Sequence, residues 1–360
     1  MTIHEMAQEG FRRASTREER IAEAAKLFAA GKSGADHAAQ YRLLEAFTTS
    51  DFPELLGAAF SKQAVAAQKA AVKEFEPILS DVTVDDFNEH KLVDLWNNDA
   101  FEEVAEGEEY KGGTLSETSL THKARKNGRN FGLTWELRRN RNFSALANFP
   151  IWLGNGSVKG QNIKTAKLLT TEAGDGWSTT YFGTIDTPAL TSESLQAAIR
   201  TIGQRTNHRG ELVSTTDLVL IHGPGLRYQV NYLLNAQEIE VEQTNGNKVT
   251  KTRTPNPFRG AFVPLESKSV ADRLGANAGT GWALVQGNGS DLPSVIRTLL
   301  SGEENVDIRL KDDAGRRVGG GDISPDQGSF KDDTIWYRGR DVYGIDPGFT
   351  EGVYASNGTV

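Results

Sequence analysis

The chain has 360 residues, 38% hydrophobic and 24% charged, with a formal net charge of −8; this exceeds what one core fills and points to two or three. It has no cysteine, which excludes disulfides, thiolate metal sites and cysteine nucleophiles. Its six histidines (His4, His37, His90, His122, His208, His222) lack metal-ligand spacing, and the acidic balance argues against a dedicated nucleic-acid binder, so neither a metal nor a cofactor is expected.

No run approaches the roughly 18 apolar residues that span a bilayer. The start, Met1 to Met6, lacks a basic n-region and an apolar h-region, so a cytosolic product is expected. Ser15-Thr16-Arg17-Glu18 offers a capping box for a helix to about Ala30. Its stripe of Ile21, Ala25 and Phe28 is too thin for an independent domain, so an arm that packs on a neighbouring subunit is expected.

Asp51-Phe52-Pro53-Glu54 signals the next helix start, and the Ala, Lys and Gln-rich run from Leu55 to Phe75 continues it until Pro77. From Ile78 to Trp96 the pattern turns strand-like, with Val82, Val84 and Phe87 and then Leu92, Val93 and Leu95.

Residues 101–141 are the most unusual stretch. Five glutamates (Glu102, Glu103, Glu106, Glu108, Glu109) precede the turn signal Lys111-Gly112-Gly113. The returning limb carries Lys123, Arg125, Lys126 and Arg129, then Arg138, Arg139 and Arg141, with Phe131, Leu133 and Trp135 alternating. This predicts a long β-hairpin, acidic going out and basic coming back, which cannot hold itself together well in water. It needs a surface to lie on.

Phe143 to Thr171 predicts a helix broken or bent around Pro150, Gly154-Asn155-Gly156 and Gly160, with Ile163, Ala166 and Leu169 as its apolar face. Ser192-Glu193-Ser194 opens an amphipathic helix with Leu195, Ala198, Ile199 and Ile202. Asp217 to His222 reads as a buried strand, which Gly223-Pro224-Gly225 turns into a helix from Leu226 to Ala236. Asn245-Gly246 marks a hairpin in the polar 237–257 stretch. Strands are expected at Ala261–Leu265, Gly281–Gln286 and Val306–Leu310, a mobile Gly-rich loop from Lys311 to Lys331, and a strand pair from Thr334 to Tyr354. The mixture is α+β.

Several pieces resemble one family, in order. Thr48 to Leu56 is similar to the segment after the N-terminal arm of Mu-like major head subunits. Val104 to Tyr110 resembles the outgoing limb of the E-loop of HK97-type tailed-bacteriophage major capsid proteins. Phe149-Pro150-x-x-Leu153-Gly154 resembles the start of their spine helix, and Tyr337 to Gly344 their closing strand. The resemblance implies an N-terminal arm at 1–50, an arm-to-peripheral helix and strands at 51–96, the E-loop hairpin at 97–141 and the spine helix of a peripheral domain at 142–185. An axial domain at 186–330 and closing peripheral strands at 331–360 complete it. Residues 1–45 fall outside the likeness, and their role as a scaffold removed by a maturation protease stays open.

The likeness further implies a virion capsid protein, not an enzyme, assembled in the host cytoplasm. Hexamers and pentamers would build an icosahedral shell around double-stranded DNA, with portal, scaffold or protease, and decoration proteins as further partners and no membrane. The hairpin charges, Glu102 to Glu109 against Lys123, Arg125, Lys126 and Arg129, are then intersubunit contacts. Some such capsids join a hairpin lysine to an asparagine of the next subunit; Lys111, Lys123 or Lys126 with Asn357 would take those roles, although Asn357-Gly358 is more simply a turn. An encapsulin-like shell is the nearest alternative. An α/β hydrolase is a remote one, since His222-Gly223-Pro224-Gly225 has no Gly-x-Ser-x-Gly elbow to serve.

Overall fold

The computed structural model describes residues 52–96, 103–104, 106, 116–134, 136, 143–245, 248–323 and 328–359. The expected N-terminal helix, the Lys111-Gly112-Gly113 turn and the arginines at 138, 139 and 141 lie outside these. The chain forms two compact units, one of residues 1–72, 125–160 and 302–342, the other of 73–124, 161–301 and 343–360.

In the first unit, helix α1 (Phe52–Ala70) ends five residues before the expected stop. Strand β4 (Lys126–Leu133) and strand β12 (Asp307–Leu310) flank the first half of β13 (Ile335–Pro347), both antiparallel to it. Helix α2 (Phe143–Leu169) runs 27 residues without the expected break. Pro150 removes one helical hydrogen bond, and glycine weakens a helix by about 1 kcal/mol, yet burial outweighs both. Residues Pro150, Leu153, Gly154 and Val158 are buried at helical spacing.

Gly154 has a specific use. A Cβ there would lie 2.2 Å from the Ala64 carbonyl oxygen and 2.9 Å from Ala67 Cβ. The glycine therefore lets α1 and α2 approach backbone to backbone, as no larger residue could. Gln68 fastens the contact, donating to Ser157 Oγ at 3.3 Å and accepting from the Val306 N–H at 3.1 Å. Ser157 in turn donates to Asp341 on β13.

The second unit is built on a five-stranded sheet in the order β5 (Ile185–Asp186), β14 (Tyr354–Ser356), β10 (Trp282–Gln286), β6 (Leu218–His222) and β9 (Val263–Glu266). Strand β6 is buried throughout, and its side chains alternate between two cores. Leu218 and Leu220 join Trp282, Leu284 and the apolar faces of α3 (Ser192–Gly203) and α4 (Arg227–Asn235). Val219 and Ile221 face Phe75, Ile78, Leu169 and Trp177. Helix α3 is capped by Thr191, whose hydroxyl exchanges hydrogen bonds with Ser194, so the cap sits one residue before the expected start.

A second sheet pairs β1 (Leu79–Val84) in parallel with β11 (Val295–Leu300), which runs antiparallel to residues 343–347 of β13. The sequence reading missed β11. Its Val-Ile-Arg-Thr-Leu-Leu pattern does not alternate, because both faces are covered. Two two-stranded ribbons complete the unit: β2 (His90–Trp96) with β3 (Ser116–His122), and β7 (Glu238–Asn245) with β8 (Lys248–Pro255). The second matches the Asn245-Gly246 signal. Phe87, read as a strand residue, lies instead in the bend between β1 and β2 and is exposed.

Candidate assembly surface

The hairpin differs from the one expected. Its outgoing limb is β2 and its returning limb β3, with His90 opposite His122 and Leu92 opposite Leu120. Residues 101–109 therefore belong to the connection between the limbs. The basic run does not return along the acidic one. Lys126 and Arg129 lie on β4, whose eight residues pair with β13, Lys126 opposite Val342 and Arg129 opposite Gly339. A continuous backbone ladder fixes that pairing, which scattered opposite charges do not. Lys126 and Arg129 also stand on opposite faces of β4, three residues apart. They cannot form one patch.

The other expected contacts are scattered. Glu103 and Glu106 are exposed, and Glu102, Glu108, Glu109 and Lys111 lie outside the described residues. The Lys123 N–H donates to Asp346 Oδ2 at 3.1 Å, and the Arg125 carbonyl accepts from Asn127 Nδ2 at 2.9 Å. Asn357 follows β14. Its N–H donates to the Asp186 carbonyl at 2.8 Å, and Gly358 beside it takes φ +64°, as a turn requires. His222 is buried, with Nδ1 2.8 Å from the Gly223 carbonyl oxygen, a structural contact.

The hairpin's two faces differ. Leu92, Asp94, Thr118, Leu120 and His122 are at least partly covered, while Lys91, Val93, Glu117, Ser119 and Thr121 are exposed. On the covered face Asp94 is clamped. Arg209 donates to both its carboxylate oxygens, Nε at 2.8 Å and Nη2 at 2.9 Å. His208 Nε2 lies 2.6 Å from Asp94 Oδ2, and its Nδ1 lies 3.4 Å from Glu351 Oε1. The imidazole stacks on Phe349, with centroids 4.4 Å apart and planes at 14°. Arg209 holds the Asp94 carboxyl below its ordinary value, and His208 adds to that against the opposing effect of burial.

The clamp comes from one tight turn. The Gly210 N–H donates to the Asn207 carbonyl at 3.0 Å, Gly210 takes φ +82°, and Asn207 Oδ1 accepts from the Arg209 N–H. An Asn-x-x-Gly turn was readable at 207–210. Nothing in the sequence linked it to Asp94, 114 residues before His208.

A second ionic cluster lies beneath. Arg297 on β11 is 5% exposed and sits opposite Asp81 on β1, donating to both its oxygens at 2.6 Å and to Glu76 at 3.0 and 3.2 Å. Burial alone would lower the guanidinium's proton affinity, but Asp81 and Glu76 raise it on balance. His122 donates or accepts through Nδ1 at Thr298 Oγ1, 3.0 Å away, tying the hairpin base to the same sheet.

No helix among the described residues is long and apolar enough to cross a membrane. No curated protein sequence matches the chain. Solved structures similar to it include the mature capsid of bacteriophage PhiM1, at 12% identity and a TM-score of 0.44, covering 78% of this chain and 86% of that one. The capsid of cyanophage P-SCSP1u is similar at 10% identity and a TM-score of 0.48, with the same coverages of 78% and 86%. A virus-like particle from Pyrococcus furiosus is similar at 10% identity and a TM-score of 0.43, covering 82% and 97%. The family model described as phage capsid protein matches residues 117–356, from β3 to β14 and more than half of the chain. The chain belongs to the phage capsid protein family and is a shell-building structural protein.

Proposed function

We propose that the chain assembles as hexamers and pentamers into an HK97-type icosahedral shell enclosing double-stranded DNA. In this reading α2 is the spine helix, the β2–β3 hairpin with its acidic connection is the E-loop, and assembly takes place in the host cytoplasm. Portal, protease and decoration proteins would be further partners. The observation that carries the reading, beside family membership, is the hairpin itself. A two-stranded ribbon is marginal alone, and this one is fastened on one face by Asp94 and leaves Val93 and its neighbours on the other face bare. A bare face on a firmly held ribbon suits contact with another subunit.

Electron microscopy and light scattering of the purified full-length chain test this. Closed shells or rings of five and six are expected, and a stable monomer at micromolar concentration would overturn the reading. A denaturing gel of the particles tests the Lys–Asn crosslink separately, since a single band at monomer mass excludes it.

A further inference from the structure

The three-stranded sheet of the first unit carries a feature that its own stability does not explain. Arg309 on β12 and Arg338 on β13 are direct cross-strand partners, and Asn130 on β4 stands opposite Arg338 on its other side. Like charges in this position destabilise a sheet. Lys311 follows two residues on, its N–H bonded to the Trp336 carbonyl at 2.8 Å. A cleft of about 510 Å³ opens here, and its lining includes these three cations, Asn130, Trp336 and Tyr337 but no carboxylate.

Two acidic residues stand outside the lining. Asp307 lies 2.8 Å from Arg309 Nε, and Asp313 pairs with Lys311. Arg338 is exposed and makes no ion pair with a described carboxylate within 4.0 Å. Trp336 lies across Gly132 on the neighbouring strand, where a Cβ would come within 3.2 Å of its ring. The cleft thus offers cations around an aromatic wall, which suits a peptide bearing carboxylates and apolar groups together.

The chain contains such a peptide. Phe101 to Tyr110 holds five glutamates with Phe101, Val104 and Tyr110 among them. We propose that this cleft receives the Phe101–Tyr110 segment of a second copy of the chain. This rests on the shell reading above. A donor segment and an acceptor cleft at different places on one chain make a heterologous contact, the kind that closes subunits into rings.

Two charge-reversed variants test it. One carries Arg309→Glu with Arg338→Glu, the other Glu106→Lys, Glu108→Lys and Glu109→Lys. Each alone should stay folded by circular dichroism and fail to associate in light scattering. Mixed in equal amounts they should associate again, because each then offers the segment that the other's cleft accepts. Normal association of either variant alone would overturn the proposal. So would rescue only when all five changes share one chain, since that places the contact within a subunit.

A fluorescent peptide of residues 101–110 gives a second measurement, independent of shells. It should bind the full-length chain and lose about tenfold or more in affinity with Arg338→Glu, and also weaken as salt rises. No binding, or displacement by a short DNA duplex that itself requires Arg338, would overturn the proposal. If the wild-type chain forms no rings or shells but binds the peptide through Arg338, the shell reading fails while the cleft assignment stands.

Discussion

The central sheet of the second unit and the β2–β3 hairpin belong to the same unit, yet they are held by different forces. Strands β6 and β10 are buried along their whole lengths, and both faces of β6 are filled with aliphatic side chains. Their stability comes from apolar area removed from water, which needs no particular partner residue. The hairpin has two strands and one bare face, and its covered face depends on Asp94 meeting Arg209 and His208. A few directional bonds do there what dozens of apolar contacts do in the sheet. The sheet should therefore fail globally and the hairpin locally.

The largest expected effect breaks the sheet. Trp282 is fully buried, stacks at a tilt on Tyr354 and donates its indole N–H to the Pro188 carbonyl at 3.1 Å. Trp282→Ala should cost about 3–5 kcal/mol in urea unfolding. A loss below about 1 kcal/mol would show that the sheet is not the unit's stability centre.

Gly154→Ala extends the contrast to the first unit. On helix propensity alone it should stabilise α2 by about 1 kcal/mol. Because its Cβ would strike the Ala64 carbonyl, a loss of about 1–3 kcal/mol is expected instead. A gain in melting temperature would show that α1 and α2 do not touch there.

Asp94→Asn sharpens the contrast most directly. It weakens the clamp without creating a cavity, so amide exchange in residues 90–122 should speed up while the urea midpoint falls by only about 1–2 kcal/mol equivalent. Equal acceleration in β6 and β10 would mean that hairpin and sheet open as one.

The same carboxylate predicts a pH effect. Asp94 is depressed below its ordinary value of 3.8, so it binds a proton less readily folded than unfolded. The clamp's contribution is complete above about pH 5, near the top of the unfolded titration, and is lost as pH falls through the folded value. Hairpin exchange, corrected for intrinsic rate, should be flat from neutral pH to about 5 and rise in more acidic solution. A rise confined to pH 6–7 would point to His208 instead.

The smallest effect concerns the bare face. Val93→Ser should change subunit stability by no more than about 0.5 kcal/mol, because Val93 is exposed. Impaired particle formation with unchanged subunit unfolding would locate a partner on that face.

The sequence by itself determined the α+β class, the helices at α3 and α4, and strands β6, β10 and β12. Each of these is written in a local period, such as Leu195, Ala198 and Ile202 along α3, or in an unbroken apolar run bounded by turns. It also showed where opposite charges are concentrated. Only the tertiary structure decided what those charges face. β4 left the hairpin for β13 because a continuous ladder was available there, and α2 stayed whole through Pro150 because Gly154 admits α1. Arg209 reaches Asp94 across more than a hundred residues. Pairings of that range are set by which backbones can approach and which polar groups must be satisfied when buried, and neither condition leaves a mark in local composition.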